Sequence, residues 1–335
     1  MKRVKLITLL LFTIASIALL IGCNRATEEE GLMVVRLSEV TRSVFYAPQY
    51  AAIELGFFKA EGLEIDLITS DGADRVMTAL LTGAVDIGLS GPEAALYVFN
   101  QGRVDYAVVF AQVTQRDGSF LIAREPMPNF TWEDLRGGYV LAGRRGGMPY
   151  MVLEYVVRQH GLLPGYDVEL NTTVQFAAMV SSFLGGNGDF VTAFEPVAST
   201  LVLEGRGYVV ASVGEASGAI PYTTYYTLGS FIESNPDIIQ GFTNALARGQ
   251  EWVTQNSPER IAEVIRPFFP DADPVILASA IARYKEIEAF ALMPMITYES
   301  FDRMQRVMES AGELTQRAPF DRLIDNSFAE IAVGR

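Results

Sequence analysis

The sequence predicts an α/β fold of two lobes around a shared cleft. Apolar strand-like runs alternate with helical ones, and the same order of parts occurs twice. The chain has 335 residues, half of them hydrophobic, enough for each lobe to bury its own core. Alternation of this kind gives parallel sheets with right-handed crossovers.

In the first run, Met33 to Leu37 is a short apolar strand and Ser38 to Ser43 a polar loop. Tyr46 to Lys59 has helical spacing, with Tyr50, Ile53 and Phe57 on one side, and stops at Gly62-Leu63. Glu64 to Thr69 alternates as a strand, and Asp74 to Leu81 is a helix closing at Gly83. Asp86 to Leu89 is a third strand, ending in Ser90-Gly91-Pro92-Glu93.

The second run has strand Tyr139 to Ala142, loop Gly143 to Gly147 and helix Tyr150 to His160, stopped by Gly161-Leu162. Strand Asp167 to Asn171 and helix Gln175 to Leu184 follow, then strand Asp189 to Ala193, ending in Phe194-Glu195-Pro196. From the Gly-Leu stop to the strand-opening Asp is 24 residues in one copy (62 to 86) and 28 in the other (161 to 189).

Beyond Asn235 the chain reads as mostly helical, with Ser257 capping a helix that starts at Pro258 and a break from Pro267 to Pro274. This tail is expected to pack on lobe one. The boundaries expected are 33–120 with 222–335 for lobe one, and 121–221 for lobe two. Gln112 to Gln115 is expected near the handover between them. In open sheets ligands bind outside the carboxyl ends of the strands, near helix N-termini. That places Thr41–Tyr46, Ser90–Glu93, Gly143–Gly147 and Phe194–Pro196 around one cleft.

Ahead of the body, residues 1–22 read as an export signal: Lys2, Arg3 and Lys5, then an apolar run from Leu6 to Ile21, short for a membrane span. Leu20-Ile21-Gly22-Cys23 resembles a bacterial lipobox, which makes Cys23 the expected lipidation site and residues 23–32, with three successive glutamates, a solvated tether. Loss of the three cations of residues 1–22 takes the net charge from −14 to −17.

That acidity argues against a nucleic-acid partner, because phosphate backbones need a basic surface. One cysteine excludes an internal disulfide framework and a Cys-rich metal site, and one histidine, His160, excludes a multi-His centre. Gly143 to Gly147 lacks the dinucleotide-binding glycine spacing and no Walker lysine follows. Neither a cofactor nor a metal is expected. An enzymatic role through His160 is not expected either, since that residue falls at a helix end away from the cleft loops.

The stretch from Phe45 to Leu63, the segment Gly83 to Gly88 and the tip Phe194-Glu195-Pro196 resemble periplasmic solute-binding proteins of the thiamine-precursor and sulfonate-binding superfamily. Within it the chain looks most like riboflavin- and thiamine-precursor-binding lipoproteins. The resemblance implies a two-lobe type II periplasmic-binding-protein fold with two crossover strands. It also implies an ABC permease and its ATPase as partners; the lipobox-like segment is what places the protein, expected to be a monomer, at the outer face of the cell membrane.

The cleft loops carry Phe45, Tyr46, Tyr50, Phe176 and Phe194, and Tyr222, Tyr225 and Tyr226 lie where the chain returns to lobe one. Rings of this kind stack on a flat ligand, or else they fill a core. Glu93 and Glu195 hold equivalent places in the two copies. There they accept hydrogen bonds from ligand N–H or O–H groups and repel sulfonate or nitrate, or they cap the helices that follow. Arg144 and Arg145, beside Gly146 and Gly147, could hold an anion at a helix N-terminus or simply be solvated; Arg42 is open in the same way. Ser90, Gly91 and Gln115 complete the polar set. The function expected is capture of a small aromatic vitamin by hinge closure, with riboflavin first, a thiamine pyrimidine precursor second and an alkanesulfonate third. The competing class is a signalling or scaffold lipoprotein without a ligand.

Overall fold

The computed structural model describes residues 31–175 and 178–334, so the export signal, Cys23 and Phe176 lie outside the described residues. Ten strands are present among the described residues: β1 (Met33–Glu39), β2 (Leu63–Thr69), β3 (Ile87–Ser90), β4 (Ala107–Thr114), β5 (Ser119–Ala123), β6 (Tyr139–Leu141), β7 (Glu169–Asn171), β8 (Phe190–Phe194), β9 (Tyr208–Ser212) and β10 (Thr223–Leu228). They form two five-stranded sheets, ordered β2-β1-β3-β10-β4 and β7-β6-β8-β5-β9.

The sheets are built alike. β1 pairs in parallel with β2 and β3, and β6 with β7 and β8. Each sheet then takes in one antiparallel strand, β10 beside β3 and β5 beside β8. β3 and β5 are buried along their whole length, as strands covered on both faces must be. The two halves anticipated from the sequence are therefore two α/β lobes.

Two segments cross between the sheets. Gln115 to Gly118 joins β4 to β5, and residues 213–222 join β9 to β10. They are bonded to each other: Ile220 N–H donates to the Gln115 carbonyl (3.0 Å) and Tyr222 N–H to that of Thr114 (3.2 Å). Since β5 begins at Ser119 and pairs with Phe194, the first crossing lies a few residues before the expected boundary at 120/121.

Three local readings change. The expected helix from 46 to 59 is a 3₁₀ turn Val44–Tyr46 followed by helices Ala47–Glu54 and Phe57–Ala60, broken where Gly56 takes φ 73°. The helix expected from Gln175 runs Met179–Leu184 among the described residues. The tail also reaches further than lobe one. Helix Pro236–Gln255 packs on Ala47–Glu54, and Pro258–Ile265 is capped by Ser257. However, Pro274–Glu286 touches the lobe-two helix Val197–Leu203, and Tyr298–Ser310 packs on the lobe-two helix Met148–Gln159. Among the described residues no helix is long and apolar enough to cross a membrane.

Candidate ligand-binding site

Aromatic rings from both lobes meet at the hinge. Ser43 opens the first loop, its Oγ accepting the Phe45 N–H (3.2 Å), and this sets the Phe45 ring. That ring lies 5.9 Å from Phe194 at the tip of β8, 5.7 Å from Tyr222 on the second crossing and 4.9 Å from Tyr284 in helix Pro274–Glu286. Phe194 and Tyr222 are 6.4 Å apart. Tilted and edge-on contacts of this kind contribute ~0.5–1.5 kcal/mol each beyond area burial.

Glu93 opens helix Glu93–Asn100 and is 6% exposed. Its carboxyl curls back over Gly91, where a Cβ would stand 1.9 Å from Oε2. The carboxyl accepts the N–H of Glu93 itself and that of Met148, the first residue of helix Met148–Gln159. Oε2 is left without a partner. Burial pushes the acid up to about 7, against the pull of those N–H groups and of Arg144. Around it, the Ser90 and Tyr226 hydroxyls share a 2.7 Å hydrogen bond, the Tyr46 hydroxyl faces Thr223, and Tyr97 donates to the Gly146 carbonyl (3.3 Å). Three of the four expected loops thus meet across the lobes through Glu93, Tyr97 and Phe45, and Phe194 brings the fourth.

Asp117, on the first crossing, was not singled out by its sequence context. It is fully buried, and its Oδ1 accepts the Ser119 N–H (2.6 Å) and Oγ (2.5 Å). Its carboxyl takes a second hydrogen bond from the hydroxyl of Tyr222 on the other crossing. Burial pushes Asp117 up to about 6.

Glu195 is committed elsewhere. Its Oε2 accepts the Ser199 N–H (2.9 Å), capping helix Val197–Leu203, and its Oε1 lies 2.9 Å from the Arg283 guanidinium. Its backbone N–H donates to the Tyr284 hydroxyl (2.9 Å).

Two of the aromatic candidates sit in the core of lobe one. Tyr50 is fully buried, donates to Glu39 Oε2 (2.8 Å) and stacks on Phe268 at 4.5 Å. Tyr225 is fully buried, donates to Gln49 Oε1 (2.9 Å) and packs on Phe242 at 5.0 Å. Both are held by lobe-one partners, so neither offers a ring face to the junction. The Gln115 side chain donates to the Glu288 carbonyl (3.1 Å), away from the rings.

The cations are engaged too. Arg42 pairs with Glu39 at 2.8 Å. Arg144 is exposed and lies 3.6 Å from Asp74, while Arg145 bonds Tyr150. Gly146 and Gly147 form the turn into helix Met148–Gln159. His160 is exposed at that helix's far end, its ring stacked on Trp132 at 5.7 Å.

A hollow of about 460 Å³ lies elsewhere, between helices Pro258–Ile265 and Pro274–Glu286, lined by residues such as Ala262, Arg266 and Val275. The buried Glu93 Oε2, which has no partner, and the paired Asp117 and Tyr222 lie at the lobe junction instead.

The chain is 40% identical over 317 residues to YtlA of Bacillus subtilis, covering 95% of each. It is 23% identical over 272 residues to a formylaminopyrimidine-binding protein of Halalkalibacterium halodurans, covering 78% of each. In three dimensions it superposes on the alkanesulfonate-binding protein SsuA of Xanthomonas axonopodis with a TM-score of 0.70 at 14% identity, covering 88% of this chain and 98% of that one. The profile of the NMT1-like family matches residues 40–266, so the chain belongs to the NMT1-like family, with the two-lobe fold of periplasmic binding proteins.

Proposed function

We propose that the protein is the ligand-capturing component of an ABC importer, lipid-anchored through Cys23 at the outer membrane face, and that its ligand is a small N–H-bearing heteroaromatic. The observation that carries this reading is the unpaired Oε2 of Glu93, whose charge acts on Tyr222, a ring packed on Phe45 and Phe194. Rings supply the stacking faces, and the carboxyl accepts from the ligand edge. The two crossing segments are the hinge, and a ligand held by both lobes favours the closed form through its differential affinity.

An aminopyrimidine of the thiamine-precursor type is the first choice. Riboflavin follows, because Tyr50 and Tyr225, two of the rings counted for a broad flavin platform, are held in the core. The similarity to a formylaminopyrimidine-binding protein points the same way. An alkanesulfonate comes third, since buried acids oppose an anion and Arg42, Arg144 and Arg145 are engaged by protein groups.

Isothermal titration with 4-amino-2-methylpyrimidine, riboflavin and taurine tests the reading. Heat with the pyrimidine supports it, heat with riboflavin alone moves the ligand to a flavin, and heat with taurine alone overturns the heteroaromatic class. The anchor is tested separately: Cys23→Ala should release the protein from the membrane fraction.

A further inference from the structure

The tail makes a third connection between the lobes. Residues 289–295 lie along β4, the strand that ends the lobe-one sheet. The Gln115 N–H donates to the Ala289 carbonyl (2.9 Å), the Ala291 N–H to that of Val113 (3.0 Å) and the Gln112 N–H to that of Pro294 (2.9 Å). Asn326 then holds Ile296 twice, accepting its N–H (3.0 Å) and donating to its carbonyl (2.7 Å). Neighbouring Asp325 donates its N–H to the Val109 carbonyl of β4 (2.8 Å). The chain is therefore tied to lobe one as far as Ile296. Thr297 caps helix Tyr298–Ser310, which packs on the lobe-two helix Met148–Gln159. Its far end returns to lobe one. Arg317 reaches Asp302 at 2.6 Å and Glu309 at 2.8 and 2.6 Å, and the Gln316 carbonyl accepts from Asn100 at 2.7 Å. Phe320 lies 5.7 Å from Phe301 and 5.8 Å from Tyr298. One helix is thus laid against lobe two and fastened to lobe one at both ends.

The same bonds fix the pivots. On the first crossing Gln115 is held on both edges, by Ile220 and Ala289, and β5 begins at Ser119, so rotation falls on Arg116 to Gly118. On the second crossing, helix Val213–Ser217 packs on Met148–Gln159 of lobe two, while Ile220 is bonded to Gln115. Rotation there falls on Gly218, whose φ of 76° favours glycine, and on Ala219. Arg303 of the tail helix lies over this pivot. Its Nη1 donates to the Ala219 carbonyl (2.8 Å) and stands 3.0 Å from where a Cβ on Gly218 would be. Its Nη2 pairs with Glu299 of the same helix at 3.3 Å. The donor rides on a helix seated against lobe two, and the acceptor lies on the lobe-one side of the pivot. Parting the lobes turns the Ala219 peptide away from the guanidinium and breaks a charge-assisted bond.

We propose that helix Tyr298–Ser310 is a strap across the hinge, pinned by Arg303 to the pivot of the second crossing, and that it holds the ligand-free protein toward the closed form. Such a strap lowers the cost of closure that a ligand must meet. The inference uses the hinge and no property of the ligand.

The test is double electron–electron resonance on the full mature chain without ligand, carrying Cys23→Ala and spin labels at Arg75→Cys and Thr173→Cys. Both positions are exposed, and they follow the carboxyl ends of β2 and β7. Arg75 adjoins Asp74, which meets Arg144 across the lobes. With Arg303 in place one short separation should dominate. Arg303→Met keeps an apolar stem over Gly218 and removes the donor. It should raise the open population, read as a second and longer separation, about tenfold, with a melting temperature close to that of the parent. Arg303→Lys keeps a cationic donor and should recover part of the closed population. A distribution that Arg303→Met leaves unchanged overturns the inference, as does equal population of both separations with Arg303 in place. A longer separation that appears only with a collapsed melting temperature reports unfolding and overturns it too. None of these outcomes bears on ligand capture, which titration tests separately.

Discussion

The Glu93 carboxyl accepts a hydrogen bond from the backbone N–H of Met148, so an acid at the start of a lobe-one helix also caps the start of a lobe-two helix. Both helix N-termini gain from a negative charge there, and the cap exists only while the lobes are together. The same carboxyl keeps Oε2 unengaged at the junction. A ligand donating to it would bind where closure is already registered, which ties occupancy to the closed form.

The first prediction concerns pH. Burial raises Glu93 to about 7 from an ordinary 4.5, so the folded state holds the proton more tightly than the unfolded chain. The sign is the reverse of a salt-bridged acid: stability is greatest below about pH 4.5, falls as pH rises toward 7, and then levels off. The shift corresponds to roughly 3 kcal/mol. Asp117, raised to about 6 by burial, adds in the same direction. Urea unfolding of the ligand-free protein should therefore show higher stability at pH 5.5 than at pH 7.5, and Glu93→Gln should flatten much of that difference. An equal slope in wild type and variant would remove Glu93 as its source.

The second prediction concerns Arg283 and Glu195. The Glu195 side chain is fully buried and that of Arg283 is 26% exposed, at 2.9 Å. The guanidinium also lies 5.4 Å from the Phe120 ring centroid. Arg283→Met should cost about 3 kcal/mol in urea unfolding, because Glu195 keeps only the Ser199 N–H for its charge. Adding Glu195→Gln should recover part of that loss, since the stranded charge is gone. If the double variant is as unstable as the sum of the two single ones, the pair is not coupled and Glu195 acts only as a helix cap.

Much of this arrangement is legible in the sequence, for identifiable reasons. The parallel strands β1, β3 and β8 announce themselves as apolar runs closed by polar tips, and those tips do converge: Phe45 on Phe194, Glu93 on Met148. The strands β4 and β5 are less legible, since both are almost wholly buried and carry no alternation. Missing them hid Asp117, which becomes conspicuous only once Asp117-Gly118 is seen to join two strands of different sheets. Glu39 escaped for a related reason. A carboxylate at the end of β1 reads as a loop residue, but it holds Gln49 (3.1 Å), Tyr50 (2.8 Å) and Arg42 (2.8 Å). That network explains why Tyr50 and Arg42, plausible cleft residues by position, belong to the scaffold. The competition between ligand contact and helix cap at Glu93 and Glu195 could not be settled by spacing either. The two positions are equivalent in the repeat, and only the presence of Arg283 beside one of them separates their chemistry.

The third prediction isolates the Glu93 carboxyl without altering it. Gly91 adopts a backbone conformation open to other residues, but a Cβ there would stand 1.9 Å from Glu93 Oε2 and 2.6 Å from its carboxyl carbon. The obstacle is the far end of a flexible side chain, so Gly91→Ala should fold, with the carboxyl swung aside. Two effects then oppose each other in stability: the Met148 N–H loses its cap, while a buried acid gains room to reach water. Unfolding free energy should stay within about 1 kcal/mol of wild type. Binding has no such compensation, because the acceptor has left the junction. Titration with 4-amino-2-methylpyrimidine should show affinity reduced about tenfold or more. A Gly91→Ala protein that binds the pyrimidine as wild type does would take Glu93 out of the ligand site and leave it as an inter-lobe cap alone.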